Sequence, residues 1–123
     1  LPALMRAEKL QKRAKKSGFD WPDISGAFEK ILEELGELRS AVEEQSNIEE
    51  ELGDLLFAVV NVSRFLKINP ESALDRANEK FLARFAAMEQ LAADAGHDLS
   101  SMTLSEMDVL WEKAKRQQKV AGE

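Results

Sequence analysis

Two tetrapeptides with the same arrangement of acidic residues constrain this chain more than any other feature; they are Glu34-Leu35-Gly36-Glu37 and Glu51-Leu52-Gly53-Asp54. In each, the two carboxylates are three positions apart and share one face if the segment is helical. Residues 33–54 contain nine acidic residues against one basic residue, Arg39, whereas the whole chain has a net charge of −6. Like charges on neighbouring turns disfavour a helix, so the segment predicts either a neutralising partner or an acidic face solvated by water.

A hard divalent cation is the neutralising partner that suits these side chains, because Mg²⁺ and Mn²⁺ prefer carboxylate oxygens as ligands. The alternative is a solvated acidic face without any ion. Gly36 and Gly53 each cost roughly 1 kcal/mol inside a helix relative to alanine. They indicate either ordinary helix packing or a backbone that must approach closely beside the acids, and both interpretations stay open.

Composition excludes several classes of function. The chain has 123 residues, 44% of them hydrophobic and 33% charged, which is typical of one soluble globular domain. No apolar run approaches the ~18 residues of a membrane span, so we expect no membrane association. The net negative charge argues against a nucleic acid polymer as partner, because phosphate contacts require a basic face.

The numbers of cysteine and histidine residues limit the kinds of metal site that the chain can form. There is no cysteine and a single histidine, His97, which excludes both a histidine/cysteine zinc site and a di-iron bundle site within one chain. Absence of cysteine and of signal-peptide blocks is typical of a cytoplasmic protein. The chain begins with Leu1 instead of methionine, which is compatible with a piece of a longer protein.

Apolar periodicity predicts five helices and no strand, at residues 3–17, 22–45, 47–66, 70–95 and 104–119. Gly18 and Gly96 are placed to end the first and fourth helices, and Pro22 suits the first turn of the second. Asn69 is expected to cap the fourth helix. Ser46 and Thr103 each precede a glutamate by three positions, which predicts two capping boxes with these residues as N-caps.

The predicted fold is all-α: an antiparallel helix bundle of about four main helices plus an N-terminal helix, in a single domain over residues 1–123. The short connection at Ser46 predicts that the second and third helices are antiparallel neighbours, so that their acidic pairs can face each other. Asn61, seven residues after Asp54, lies on the same face of the third helix. The residues predicted to be buried in helices two to five are Ile31, Leu35, Leu38, Val42, Leu52, Leu55, Leu56, Val59, Leu66, Leu74, Phe81, Phe85, Met88, Met107, Leu110 and Ala114.

Two further pairs have helical spacing. Lys80 and Arg84 place two cations on one face, and Trp111 and Lys115 are also four positions apart. By its spacing alone the basic pair predicts solvated surface or partners for acidic residues on the helices. A tryptophan such as Trp111 is more often part of a core than of a ligand site. His97, in a loop of glycine, aspartate and serine, is most simply an exposed histidine.

The acidic motifs and several later segments resemble those of a known family. Glu33-Glu34-Leu35-Gly36-Glu37, followed after 13 residues by Glu51-Leu52-Gly53-Asp54, is similar to the EExxE…ExxD signature of the MazG-type all-α nucleoside triphosphate pyrophosphohydrolases. The resemblance continues through residues 54–61, 77–85 and 110–115. The opening segment through Gly18-Phe19-Asp20-Trp21 is similar to the lead-in of the C-terminal catalytic domain of two-domain MazG proteins. The Cys-Pro-Trp-Asp lead-in of their N-terminal domain is absent, which fits an excised C-terminal domain or a single-domain relative.

The resemblance implies an enzyme that uses Mg²⁺, with Mn²⁺ as a substitute, to hydrolyse nucleoside triphosphates to a monophosphate and pyrophosphate. It implies the metal ligands Glu34, Glu37, Glu51 and Asp54. It implies catalytic roles for Glu33, Glu50, Lys80 and Arg84. The two glutamates would either hydrogen-bond to the metal ligands from outside or act as the general base. It implies nucleotide contacts from Asn61, Asn78, Lys80, Arg84, Trp111 and Lys115.

The resemblance also implies a tight homodimer. Two alternatives remain beside the enzyme: a non-catalytic, metal-dependent nucleotide-binding or regulatory module, and a helical assembly protein whose acidic faces are solvated. No position in the sequence identifies a preferred base.

Overall fold

The structure is a computed structural model that describes residues 1–121, and its regular elements are helices joined by short links. They are α1 (Ala3–Lys16), α2 (Ile24–Glu44), α3 (Ile48–Phe65), α4 (Pro70–Asp94), a 3₁₀ segment (Leu99–Ser101) and α5 (Leu104–Ala121). Residues 1–121 contain no strand, so the all-α prediction is confirmed. Each predicted helix is present, with its ends within two residues of the expected positions.

Helix α1 ends as the sequence predicts. Gly18 has φ +85°, and the amide of Phe19 donates to the carbonyl of Ala14 at 3.1 Å, which closes the helix end. The prediction that Pro22 lies in the first turn of α2 is wrong, because this helix begins at Ile24. Asp23 is the N-cap instead, its carboxylate accepting from the amide of Ser25 at 2.9 Å.

The link between α2 and α3 contradicts the capping box predicted at Ser46. Gln45 and Asn47 both have left-handed backbones, with φ +53° and +58°, and Asn47 is the residue before α3. The amide of Ser46 donates to the carbonyl of Ala41 at 3.1 Å, so it closes α2 instead of opening α3. A reversal in three residues needs these left-handed positions, and asparagine tolerates one.

The caps of the last two helices are confirmed. Asn69 accepts through its side chain from the amides of Glu71 and Ser72, at 2.9 and 3.3 Å. Thr103 and Glu106 form the reciprocal pair of a capping box, at 2.9 and 3.1 Å.

The chain divides into two compact units, residues 1–73 and the residues from 74 onward. In the first unit α3 packs against both α2 and α1. Since α2 and α3 are joined by three residues, they are antiparallel neighbours. In the second unit Phe81 of α4 contacts Trp111 of α5, with ring centroids 5.4 Å apart. The prediction of a single domain over residues 1–123 stays a prediction.

The buried hydrophobic residues in the described part of the chain are mostly small: Ala27, Ala41, Ala58, Val60, Val62, Met88, Ala92 and Ala114. The burial prediction is thus right for Met88 and Ala114. It is wrong for nine residues that are exposed, namely Leu35, Val42, Leu52, Leu56, Val59, Leu66, Leu74, Phe81 and Phe85. The other five, Ile31, Leu38, Leu55, Met107 and Leu110, are half-buried. Periodicity identifies an apolar face, but it does not say what covers that face.

The two glycines of the acidic tetrapeptides have no crowded surroundings. Beyond its own turn of helix, a Cβ added at Gly36 or Gly53 would meet no atom of residues 1–121 within 4 Å, so no close approach within the described chain explains either glycine. Close approach occurs at Gly26, where a Cβ would lie 2.8 Å from the ring of Trp21. None of the helices within residues 1–121 combines the length and apolar content that crossing a bilayer requires.

Candidate active site

Three of the four predicted metal ligands come together between α2 and α3. One carboxylate oxygen from each of Glu34, Glu51 and Asp54 lies within 4.8 Å of the others. Glu34 is buried, with 9% of its surface exposed, whereas Glu51 is half-buried and Asp54 is exposed. We call these residues the acidic triad. It exists because the two helices pack side by side and each presents its acidic face at the same level.

The electrostatics of the acidic triad extend to Glu37. Partial burial raises the pKa of Glu51 above its ordinary value, and the negative charges of Glu37, Asp54 and Glu34 raise it further. Glu37 is therefore close enough to act on the triad, although its carboxylate is not one of the three that converge. Its role as a fourth ligand stays a prediction.

Lys30 is the cation next to the acidic triad, and the sequence interpretation missed it. Its ammonium lies 3.2 Å from both Glu33 and Glu34. Hydrogen bonds to Glu34 and then to Glu33 raise the pKa of Lys30. The signal was present in the sequence, because Lys30 and Glu34 have the i, i+4 spacing of a helical ion pair.

The acidic triad fits a hard divalent cation. Its donors are all carboxylate oxygens, which is the ligand set that Mg²⁺ and Mn²⁺ prefer. One of the three is buried and they converge from two helices, which a merely solvated acidic face does not require. The residues that would hold the ion are Glu34, Glu51 and Asp54, with Glu37 beside them.

A cavity of about 470 Å³ adjoins the acidic triad. Its lining comes from α1, the α1–α2 link, α2 and α3: Leu10, Gln11, Ala14, Phe19, Asp20, Trp21, Lys30, Glu34, Asp54, Phe57, Ala58, Asn61 and Arg64. We call it the α1–α3 cavity. It shares Glu34 and Asp54 with the triad and is otherwise largely apolar.

An ion pair stands in one wall of the α1–α3 cavity. Arg64 donates to both carboxylate oxygens of Asp20, with Nη1 3.0 Å from Oδ2, and the two side chains are only 7% and 12% exposed. The hydrogen bond from Arg64 holds the pKa of Asp20 below its ordinary value. Arg64 also donates through Nε to Oδ1 of Asn61 at 2.9 Å. Because an arginine can only donate, the oxygen of Asn61 faces Arg64 and its NH₂ group remains as a donor.

Gln11 is the buried residue of α1, a position where the sequence indicates no site. Its Nε2 donates to the backbone carbonyl of Phe57 at 2.9 Å. Since a carbonyl can only accept, this contact fixes which end of the amide is nitrogen. Its oxygen is buried and has no hydrogen-bond partner in residues 1–121. The α1–α3 cavity thus has an uncommitted acceptor at Gln11 and a donor at Asn61.

The basic pair of α4 belongs to the second unit. The guanidinium of Arg84 lies over the ring of Trp111, 5.7 Å from its centroid, and its Nε donates to Oε1 of Gln118. Lys80 is exposed, as are Asn78 and Lys115. Trp111 is half-buried, packed against Phe81, so it is neither fully core nor fully free.

Comparison with known proteins gives the family. Residues 25–87, slightly more than half of the chain, match the model of the MazG nucleotide pyrophosphohydrolase domain. The chain belongs to the MazG family.

Two curated MazG-family relatives cover nearly all of the chain. It is 49% identical over 115 residues to the "Nucleoside triphosphate pyrophosphohydrolase/pyrophosphatase MazG" of Thermotoga maritima, a match of 94% of this chain and 45% of that protein. It is 45% identical over 122 residues to the "Nucleoside triphosphate pyrophosphohydrolase" of Escherichia coli K12, a match of 96% and 46%. The chain thus spans less than half the length of either relative.

A third relative carries the same kind of segment in a longer chain. Over 71 residues the protein is 49% identical to the "Uncharacterized protein YabN" of Bacillus subtilis, a match of 58% of this chain and 14% of that one.

The MazG match includes the whole acidic triad and the basic pair, while Trp111 and Lys115 lie beyond it. Glu33 is paired with Lys30, and Glu50 is exposed on α3. The individual roles of all these residues remain predictions. Sequence reasoning missed Lys30, Gln11, the Asp20–Arg64 pair and Gln118.

Proposed function

We propose that this MazG chain hydrolyses nucleoside or deoxynucleoside triphosphates to a nucleoside monophosphate and pyrophosphate, acting as one catalytic domain over residues 1–123. The observation that carries the proposal is the acidic triad, in which buried Glu34 and two α3 carboxylates converge within 4.8 Å. The names of the two long relatives support the same reaction.

Glu34, Glu51 and Asp54 would hold Mg²⁺, or Mn²⁺ in its place, with Glu37 completing the carboxylate set. When bound, the ion neutralises phosphate charge and lowers the pKa of a coordinated water. Glu33 and Glu50 flank the ligand positions and are the candidates for accepting the proton of the attacking water. Lys30 would release Glu33 and Glu34 when a cation replaces its ammonium.

Lys80 and Arg84 would stabilise negative charge on the triphosphate and on the departing pyrophosphate, from the same chain or from a second copy. Asn78, Trp111 and Lys115 would contribute further nucleotide contacts. The positive charges of Lys80, Arg84 and Lys115 would attract the phosphates, whereas the acidic triad alone would repel the phosphates.

The α1–α3 cavity is where we place the base. A largely apolar pocket with a few polar groups is the usual form of a small-molecule site. Trp21 and Phe19 supply aromatic surface for stacking, Gln11 supplies an acceptor and Asn61 a donor. The shared residues Glu34 and Asp54 bring this cavity next to the proposed phosphate site.

We further propose that the chain forms a homodimer in the cytoplasm. Two helices leave large apolar side chains exposed, and contiguous apolar surface of this kind is typical of protein interfaces. These side chains are Leu35, Val42, Leu52, Leu56 and Val59. A second copy would cover them. Light scattering after gel filtration tests this, and a monomer at all concentrations would contradict it.

The reaction is tested with a panel of canonical and altered nucleoside triphosphates in Mg²⁺, with products separated by ion-exchange chromatography. We expect monophosphate and pyrophosphate in equal amounts. Diphosphate and orthophosphate would contradict the proposed bond, and tight nucleotide binding without turnover would favour the non-catalytic module. The same panel identifies the preferred base.

A further inference from the structure

Gln118 holds Arg84 in a defined orientation. Its Oε1 accepts from Nε of Arg84, and its Nε2 lies 3.4 Å from the backbone carbonyl of Lys80. The orientation of the amide is fixed, because arginine can only donate and a carbonyl can only accept. Gln118 therefore connects α5 to both members of the basic pair on α4.

The second support of Arg84 is Trp111. The guanidinium lies 5.7 Å from the centroid of this ring, within the range of a cation–π contact. Trp111 is itself held against Phe81, with ring centroids 5.4 Å apart. Two neighbours on α5 thus restrict the guanidinium, one beside it and one against its face.

Both supports are electrically neutral. Arg84 has no carboxylate partner in the described residues, in contrast to Arg64, whose charge is neutralised by Asp20. The bond to Gln118 uses Nε and leaves the two terminal nitrogens of Arg84, which are the pair that grips a phosphate in a fork. A neutral anchor orients the fork without cancelling its charge.

We infer that Gln118 is a positioning residue that presents the terminal nitrogens of Arg84 to a phosphate group of the nucleotide. This inference rests on the proposed function and extends it to a residue of α5. It also explains why a neutral amide stands where a carboxylate would make a stronger bond to the arginine. A glutamate would orient the guanidinium equally well but would compete with the phosphate for it.

The experiment compares kcat and KM for the full chain with Gln118→Met and Gln118→Glu. We expect Gln118→Met to lower kcat about tenfold, because a lost hydrogen bond to a charged group leaves Arg84 mobile. We expect Gln118→Glu to lower kcat at least as much, although it keeps an acceptor for Nε. Both variants should melt within about 2 °C of the wild type, because exposed and half-exposed polar contacts contribute little to stability.

The matched control is Gln117, an exposed residue of the same type one position away. Gln117→Met and Gln117→Glu should leave kcat and KM unchanged, which separates the contact with Arg84 from a general charge change on α5. A second readout is the thermal shift given by a non-hydrolysable α,β-methylene triphosphate, which should be smaller in Gln118→Glu than in Gln117→Glu.

A double variant separates this inference from the proposed function. If Gln118 acts through Arg84, Arg84→Ala with Gln118→Met should be no slower than Arg84→Ala alone. Normal turnover in both Gln118 variants, with Arg84→Ala impaired, would overturn the positioning role while the proposed function stands. Additive losses would overturn it too, since Gln118 would then act independently. A wild-type chain that releases no pyrophosphate contradicts the proposed function itself.

Discussion

Two clusters of charged side chains in the first unit differ in how their charges are balanced. Asp20 and Arg64 carry opposite charges, are nearly buried and neutralise each other through two hydrogen bonds. The acidic triad gathers three like charges from two helices, with Lys30 bonded to one of them. The first arrangement is complete within the chain. In the second, Lys30 compensates only part of the negative charge.

The two places should respond differently when one charge is removed. Breaking a buried ion pair leaves an uncompensated charge and destabilises the fold, whereas removing one of several like charges relieves repulsion. Substitutions at the two places should therefore affect stability in opposite directions. The predictions below depend on that contrast.

The largest effect is expected at the Asp20–Arg64 pair. Asp20→Asn should lower the free energy of unfolding by about 2–3 kcal/mol, because the guanidinium of Arg64, with little of its surface exposed, loses its counter-charge. Urea unfolding followed by circular dichroism measures the loss. The double variant Asp20→Asn with Arg64→Met should regain part of it, since no unpaired charge remains. A loss below about 1 kcal/mol in Asp20→Asn would show that this pair is no more than a surface contact.

The next effect concerns activity at the four predicted metal ligands. Single changes of Glu34, Glu37, Glu51 or Asp54 to the matching amide should lower turnover by about 100-fold or more, because the cation loses a charged ligand of unchanged shape. The unfolding free energy without metal should stay the same or rise by a few tenths of a kcal/mol.

Glu43→Gln and Glu44→Gln are the controls for these variants, because both residues lie on α2 outside the acidic tetrapeptides. They should keep wild-type turnover. If either control is as inactive as Glu37→Gln, or if Glu37→Gln is fully active, the ligand assignment is wrong.

Binding of a metal ion should stabilise the folded protein. A ligand that binds only the folded state adds about 2.7 kcal/mol at ~100 times its Kd. Thermal melts in EDTA and in increasing Mg²⁺ should show this shift, and Asp54→Asn should lose most of it. An unchanged melting temperature in millimolar Mg²⁺ with nucleotide present would favour a solvated acidic face.

A smaller effect is the acid dependence that the ion pair contributes. The pKa of Asp20 is lowered in the folded state from its ordinary value of 3.8. Its stabilising contribution is therefore present above pH 3.8 and is lost as the pH falls below that value. The difference in unfolding free energy between the wild type and Asp20→Asn should therefore shrink as the pH falls from neutral to acidic values. A constant difference down to the lowest pH would show that Asp20 does not titrate abnormally.

The smallest effect is expected at Lys30. Lys30→Gln should destabilise the metal-free protein by about 0.3–0.5 kcal/mol and tighten Mg²⁺ binding by roughly two- to fivefold, because a competing cation is removed. Calorimetric titration with Mg²⁺ measures the second change. Lys12→Gln breaks the comparable pair with Glu8 on α1 and should not change Mg²⁺ affinity. Weaker Mg²⁺ binding in Lys30→Gln would show that Lys30 supports the site instead of competing with it.

The sequence predicted local structure well because its signals are local. Asn69, Thr103 and Gly18 act on the backbone within a few residues, and each does what its chemistry suggests. The convergence of the acidic triad was also predictable, since equal spacing in two antiparallel neighbours leaves few alternatives. The capping box at Ser46 failed because the link needs left-handed residues on both sides of it.

Burial and side-chain networks were less predictable. Leu52 and Leu56 belong to an apolar face that the chain itself leaves exposed, and periodicity contains no information about what lies opposite. Lys30 falls just outside the acidic segment and reaches back to Glu34 along the helix. Gln11 and Gln118 have contacts 46 and 38 residues away, and no local pattern marks such a partner.

The contact of Trp21 with Gly26 has a mechanical consequence for the α1–α3 cavity. Because a ring carbon would stand 2.8 Å from any Cβ at position 26, the indole rests directly on the backbone at the start of α2. Glu34 is on that same helix, about 12 Å further along at 1.5 Å per residue. Trp21, which lines the α1–α3 cavity, thus packs against the same helix that holds the buried carboxylate of Glu34. If the base occupies the α1–α3 cavity as proposed, α2 is the element through which a displacement of Trp21 would reach Glu34 and the acidic triad.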